Sequence, residues 1–579
     1  MGRAPAQQVG AAGAGPVSVT VKNERVHVET PTLSAVLEKG FLISLESKLD
    51  RQQFISGVDV ASTAALQLLY PGSEEIRIDE SKFGQVGARQ ISATRAEFVF
   101  HSWDGDGVLA ISADPATGAL LIEPSGYSSR PGLQACRWSL KGIRDDLRLV
   151  APFFQGVNLP LADALIRDTR WQWPSGWEAG FAVLLGRNGG FWVHCRDDRY
   201  RYKALKVGSK TDAGVLGFDT EAYGPLDDNI SAGGLCWRVN TFHGDWTAPA
   251  GEYRDWLWKT YGLDAEERRR APWTRDVNLA LSWCPGEPAI LDALAKRANP
   301  RRVLIHYPDW RTDPYDENYP TFVASPKARV FLEKGRQMGF HIMPHCNSID
   351  TDPNHPAYSL VRDFQYRDLE RRRLQGWSWY QRRVIGVPES NTSRLGHRDK
   401  KVMVKIHPGS SMWRSILAEN IQKAARDLSL ETVFIDVTLT TFNLHNSLVE
   451  NMTSTEGMKR LIEAVGSLEN GLVVGGEGLN EITAQGQSFA QAHLFKSWQE
   501  NTEGVERSGG CALNEFLFGG LCRTFGYSGL GGRTPAEELR MRLHEEHRAL
   551  PTVTIRSAEE LVKPNAAVKR VLERAAPGA

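Results

Sequence analysis

The 579-residue chain has no surplus of either charge: Lys+Arg and Asp+Glu are both 69, for a formal net charge of zero. That balance lacks the basic footprint of a nucleic-acid or anionic-membrane binder, so neither partner is expected. No stretch approaches the about 18 consecutive apolar residues of a membrane span. Met1 to Pro16 is rich in Gly and Ala and has no apolar h-region. The expectation is a soluble chain, cytoplasmic by default, or secreted or periplasmic if a signal peptide was removed. Cysteines are few: Cys136, Cys195, Cys236, Cys284, Cys346, Cys511 and Cys522, an odd seven with no C-x-x-C spacing. This argues against a disulfide framework and a Cys-based zinc site, and no cofactor is called for. A Gly-rich phosphate loop is also missing, since Gly186-Arg-Asn-Gly-Gly190 reads as a hairpin turn.

What is present changes character near residue 270. Up to there, short alternating segments such as Val17-Ser-Val-Thr-Val, Leu33-Ser-Ala-Val-Leu, Phe181-Ala-Val-Leu-Leu and Leu235-Cys-Trp-Arg-Val are separated by Gly, Pro, Asp or Asn. Many short strands with turn signals predict an antiparallel β-sandwich over 17–250, after a flexible N-terminus at 1–16. The helical pattern beginning Gly251-Glu-Tyr-Arg-Asp-Trp-Leu-Trp predicts a connector over 251–271. From Pro272 the rhythm becomes strand, loop, helix, strand. Candidate strands are 277–282, 302–307, 340–345, 402–407, 432–436, 472–475 and 552–555, with helices near 327–336, 413–425 and 456–465. Such alternation over 272–579 predicts a catalytic (β/α)8 barrel of the TIM type.

Two carboxylates stand where buried strands stop. Asp436 ends Thr432-Val-Phe-Ile-Asp436, and Glu477 ends Gly471-Leu-Val-Val-Gly-Gly-Glu477. Buried strands rarely carry acids, and two on consecutive strands is how a barrel brings a pair to its C-terminal rim. Retaining glycoside hydrolysis needs such a pair about 5 to 5.5 Å apart, one to attack the anomeric carbon and one to protonate the leaving oxygen. Glu481, four residues on, competes with Glu477 for the acid role, and Glu477 is preferred. Other strand ends are aromatic and polar: Trp283 after the first, Asp309 and Trp310 after the second, His345 and Asn347 after the third, then His407 and Trp413. Among 17 Trp residues these are candidate platforms for the C–H faces of a sugar, and Asp309, His345 and Asn347 candidate hydrogen-bonders of its hydroxyls. His407 is a candidate to orient Asp436 or line the pocket. Asp350 and Asp352 read as Asx turns.

Ile406-His-Pro-Gly-Ser-Ser-Met-Trp413-Arg, Phe434-Ile-Asp436, Asn443-Leu-His-Asn446 and Val474-Gly-Gly-Glu477-Gly together resemble the barrel of sandwich-plus-barrel glycoside hydrolases. The closest resemblance is to the endo-α-N-acetylgalactosaminidase-like clan and its uncharacterised glycosidase-like relatives, over roughly 270 to 500. The resemblance implies a carbohydrate substrate, an α-linked O-glycosidic bond, Asp436 as nucleophile and Glu477 as general acid/base. Two alternatives stay open. One is a metal-assisted hydrolase or lyase using His306, Asp309 and His345; the other is a catalytically inactive carbohydrate-binding protein. The sugar, endo or exo action and the oligomeric state are not legible.

Overall fold

A computed structural model describes residues 14–576, apart from 61–64, 73, 79–85, 102–104, 209–213, 371, 379–401, 495–508, 528–529 and 531–536. The chain divides into two compact units, Met1–Phe153 with Val157–Thr260, and Phe154–Gly156 with Tyr261–Ala579.

The first unit is built from antiparallel sheets of five, ten and six strands. Its strands form where apolar residues alternate, as in Leu33–Glu38, whose alternate positions are buried. The ten- and six-stranded sheets face one another through Trp237 and Phe218, whose rings lie 5.1 Å apart. The Trp237 indole N–H donates to Thr220 Oγ1 across the same layer at 3.3 Å. This is the sandwich, and Trp171, Trp173 and Trp177 are buried in it. The helix Thr247–Tyr261 ends the unit.

The second unit contains eight parallel strands: β1 (Leu279–Leu281), β2 (Val303–Tyr307), β3 (His341–Asn347), β4 (Thr432–Asp436), β5 (Val473–Glu477), β6 (Gln487–Gln491), β7 (Arg523–Phe525) and β8 (Thr552–Val553). They neighbour one another in chain order, with β8 returning beside β1. The ring nearly closes where Leu550 N–H donates to Thr524 O at 2.8 Å and Gly526 N–H to Thr552 Oγ1 at 3.0 Å. Helices α1 (Pro288–Ala295), α2 (Pro326–Met338), α3 (Ser411–Leu428) and α4 (Ser454–Gly466) lie between the earlier strands. Ser325, Ser410 and Thr453 cap the N-termini of α2, α3 and α4 through their hydroxyls.

Strand parity sends side chains two ways. Ala280, Leu304, Met343, Phe434, Val473, Phe489 and Phe525 fill the barrel interior. Leu279, Ile305, Val433, Ile435 and Val474 pack outward in the larger core with residues of the helices. Because successive side chains alternate, the inward set continues to His306, His345, Asn347, Asp436, Glu477 and Gln491 at the strand ends. A Cβ on Gly475 would meet Met343, so the glycine lets that inner layer close.

One predicted strand is not part of the barrel. Val402–Lys405 pairs antiparallel with Asp350–Thr351 and Gly376–Ser378 in a three-stranded side sheet, while β3 pairs directly with β4. The segment has the apolar composition of a buried strand because the side sheet is itself buried: Met403, Val404 and Ile406 join the outer core. Composition alone cannot tell the two sites apart.

Candidate active site

The C-terminal ends of the strands surround a cavity of about 480 Å³ lined by Trp283, Pro308, Asp309, Tyr315, Asp316, Asp350, Lys405, Asp436, Val437, Thr440 and Glu477. Among the described residues, five carboxyl side chains face it against one cation, Lys405.

Asp436 and Glu477 end adjacent parallel strands, and their side chains share the inward parity of Phe434 and Gly475. The Val437 backbone amide acts on both carboxyl groups, favouring the charged form of each. Val437 is β-branched yet sits at φ 67, in the left-handed region that such residues avoid. Trp283 at φ 57 and Asp316 at φ 61 share that strain on the same cavity wall. Strained backbone of this kind persists only where the surroundings over-determine it, and it clusters at functional sites.

Burial pushes Asp436 well above the usual carboxylate range, with the Glu477, Asp316 and Asp350 charges adding to the rise. Glu477 is also raised by burial, against the lowering effect of Tyr527, Lys405 and the Val437 amide. The Tyr527 hydroxyl donates to Glu477 Oε1 at 2.6 Å. Two buried acids that repel each other titrate as a pair, sharing a proton between their two steps. Lys405 Nζ stands 2.8 Å from Asp350 Oδ1, with both side chains almost wholly buried.

Behind Asp436, His345 Nε2 lies 3.6 Å from Asp436 Oδ2, and His345 Nδ1 is 3.0 Å from His306 Nε2. Burial holds His306 down at about 3 and His345 far below the ordinary imidazole value, so both rings are neutral.

Of the residues expected from sequence, Trp283, Asp309, Asp436 and Glu477 line the cavity. Trp310 does not: its side chain is fully buried, its indole N–H donates to His345 O at 2.7 Å, and its ring lies against Phe322. Trp413 is likewise buried and donates to Ser348 O at 2.9 Å. Neither can present a face to a sugar. Asn347 braces the turn after β3, accepting from the Ile349 and Asp350 amides and donating to Asp350 Oδ2 at 3.3 Å. His407 is buried, accepts from Gly409 N–H at 3.0 Å and packs edge-on to Tyr366, outside the lining set. Glu481 is buried beside the 3-10 turn Thr483–Gln485, outside the lining set. Asp352 forms the expected Asx turn with Asn354, whereas Asp350 faces the cavity.

The metal-assisted alternative relied on His306, Asp309 and His345. The two imidazoles are hydrogen-bonded to each other, and Asp309 is exposed. Among the described residues no three His, Cys, Asp or Glu side chains converge as a metal site.

Sequence reasoning missed Tyr315, Asp316, Lys405, Thr440 and Tyr527. Tyr527 lies two residues past β7, so the strand-end rule reaches it once Arg523–Phe525 is recognised as a strand. Lys405 belongs to a segment whose candidate residue was its neighbour His407.

A family described only as a domain of unknown function (DUF6259) matches residues 236–446, a span that includes Asp436 and stops short of Glu477. Among curated proteins none matches. The structure is similar to that of the α-N-acetylgalactosaminidase NagBb from Bifidobacterium bifidum without ligand, with TM-score 0.66, 14% identity and coverage of 96% of this chain and 93% of that one. The GalNAc complex of the same protein matches with TM-score 0.59 and 14% identity over 87% and 83% of the two chains. At this identity the likeness is one of fold, and the chain has the sandwich-plus-barrel architecture of these glycosidase structures, in keeping with the resemblance its sequence carries.

Proposed function

We propose that the protein is a retaining glycoside hydrolase acting on an α-linked sugar, with Asp436 as nucleophile and Glu477 as general acid/base. The observation that carries this reading is the pair itself: two carboxyls on adjacent parallel strand ends that face one cavity beside the strained Val437 backbone, both raised by burial. NagBb, the fold relative, is an α-N-acetylgalactosaminidase seen with GalNAc bound, which supports a carbohydrate ligand for the same kind of cavity.

In this reading Asp436 attacks the anomeric carbon as the carboxylate while Glu477 gives its proton to the departing glycosidic oxygen, leaving a glycosyl ester on Asp436. Glu477, now ionised, takes a proton from water, whose oxygen displaces Asp436 and restores the starting anomer. The Tyr527 hydroxyl occupies one oxygen of Glu477 and leaves the other for the transferred proton. Trp283, Asp309, Asp350 and Lys405 line the cavity; in the same reading Trp283 is the wall for the sugar face and the other three hold hydroxyls.

The test is hydrolysis of a panel of nitrophenyl α- and β-glycosides, α-N-acetylgalactosaminide included, with the first-formed anomer read by NMR. An α-glycoside should give the α-anomer first. Asp436→Gly should lose about 10⁴-fold or more in kcat, as removal of a covalent nucleophile does. Azide should then restore turnover as the β-glycosyl azide. Cleavage that survives Asp436→Asn, or a β-anomer as first product, overturns the assignment.

A further inference from the structure

The proposed chemistry needs a proton on Glu477 and none on Asp436, yet burial raises both carboxyls and it is Glu477 that Tyr527 and Lys405 pull back down. Something on the Asp436 side must oppose that bias.

The hydrogen-bond donors behind Asp436 run in one direction. The Trp283 backbone N–H can only donate, and it points at His306 Nδ1 over 3.4 Å. A neutral His306 that accepts at Nδ1 carries its hydrogen on Nε2. That hydrogen faces His345 Nδ1 at 3.0 Å, so His345 also accepts at Nδ1 and carries its hydrogen on Nε2. His345 Nε2 is buried with no hydrogen-bond partner, and the acid oxygen it faces is Asp436 Oδ2 at 3.6 Å. Trp310 fixes the backbone at this point by donating to the His345 carbonyl.

We infer that the chain Trp283 N–H, His306, His345 presents a fixed, uncharged N–H to Asp436 and holds it as the carboxylate, so that the shared proton rests on Glu477. His345 is thus a positioning residue. This rests on the glycosidase reading for its purpose, though not for its geometry. A charged imidazolium there would tie the nucleophile into an ion pair. A neutral N–H dipole aimed at the carboxylate from 3.6 Å instead favours the anion without pairing its charge, and yields as the carboxylate bonds to carbon.

The charged and titratable groups facing the chain fit this arrangement. Asp436 meets Glu477, Asp316 and Asp350 on its other sides, with Tyr315 and Tyr527 above. His345 is bordered by His306, Tyr315 and the Arg311 cation, and that cation opposes a second positive charge on the ring. These two histidines carried the metal alternative in the sequence; their spacing is explained by the bond between them.

The test has an arm that needs no substrate. Long-range ¹H–¹⁵N spectra of histidine-labelled protein, with His306→Gln and His345→Gln used for assignment, should show both rings as neutral Nε2–H tautomers from pH 5 to 8. The His345 Nε2 shift should also follow the ionisation of Asp436 and stop doing so in Asp436→Asn. An imidazolium, or an Nδ1–H tautomer at His345, overturns the inference.

The second arm is kinetic, on whichever nitrophenyl glycoside the wild type cleaves. In His345→Leu the acid limb of the kcat/KM profile should move up by about one pH unit, the low end of what a donor facing an ion contributes. The loss should fall in kcat rather than KM, and His345→Gln, which keeps an N–H donor, should largely restore the limb. An unmoved acid limb in a folded His345→Leu protein overturns the inference. If the tautomers are as stated but no glycoside is cleaved, the glycosidase reading fails and the chain of donors stands.

Discussion

The Tyr527 hydroxyl donates to Glu477 Oε1 at 2.6 Å, and this is the one side-chain hydrogen bond that pulls the Glu477 carboxyl downward against its burial. Its removal should therefore let Glu477 hold a proton to higher pH. In Tyr527→Phe the basic limb of the kcat/KM profile should move alkaline by about one unit, with kcat at neutral pH lowered about tenfold. A pH–rate series on wild type and variant checks both.

The acid pair should be a cost to folding at neutral pH. The folded-state pKa values of Asp436 and Glu477 are raised above their unfolded values, so the folded protein binds protons more tightly. The stability they contribute is fully present below the ordinary carboxylate range and is lost as pH rises through the raised values. Asp436→Asn and Glu477→Gln should each raise Tm at pH 7 by about 2 to 4 °C. The gain should shrink towards pH 4. Calorimetry at the two pH values, with no substrate involved, decides the matter.

Lys405 and Asp350 form an ion pair with almost no exposure on either side. Lys405→Met strands a carboxylate in the cavity wall and should cost about 3 to 5 kcal/mol in urea unfolding. Asp350→Asn added to it should recover most of that loss, because the stranded charge goes with it. A double-mutant cycle in which the two losses simply add would show that the pair is not coupled.

Among the described residues, Asp309, Asp316, Asp350, Asp436 and Glu477 face the cavity with Lys405 as their single counter-charge. A sugar bearing its own anion should be repelled. An aryl α-glycoside with a carboxylate at C6 should show kcat/KM at least about tenfold below its neutral counterpart at low salt, with the gap narrowing as salt is added.

How much of this was legible in the sequence depends on what each residue had to signal. Strands such as 432–436 announced themselves because a segment buried on both faces is apolar throughout, and an acid at its end stands out. The same logic placed Asp436 and Glu477 at the rim. It could not separate a barrel strand from the buried strand of the side sheet, so 402–407 was assigned to the ring. Nor could it tell a Trp that walls a cavity from one that fills a core: Trp283 faces the cavity, Trp310 and Trp413 do not. That difference is set by helices and loops packed from elsewhere in the chain. β7 is three residues long, too short for any period to show, whereas the short β8 falls within the expected strand 552–555.

The side sheet separates the two tasks of the cavity. Asp350 and Lys405 are register partners on its neighbouring strands, whereas Asp436 and Glu477 belong to the barrel staves. One wall of the cavity is thus carried by an excursion between β3 and β4, and the acid pair by the staves themselves.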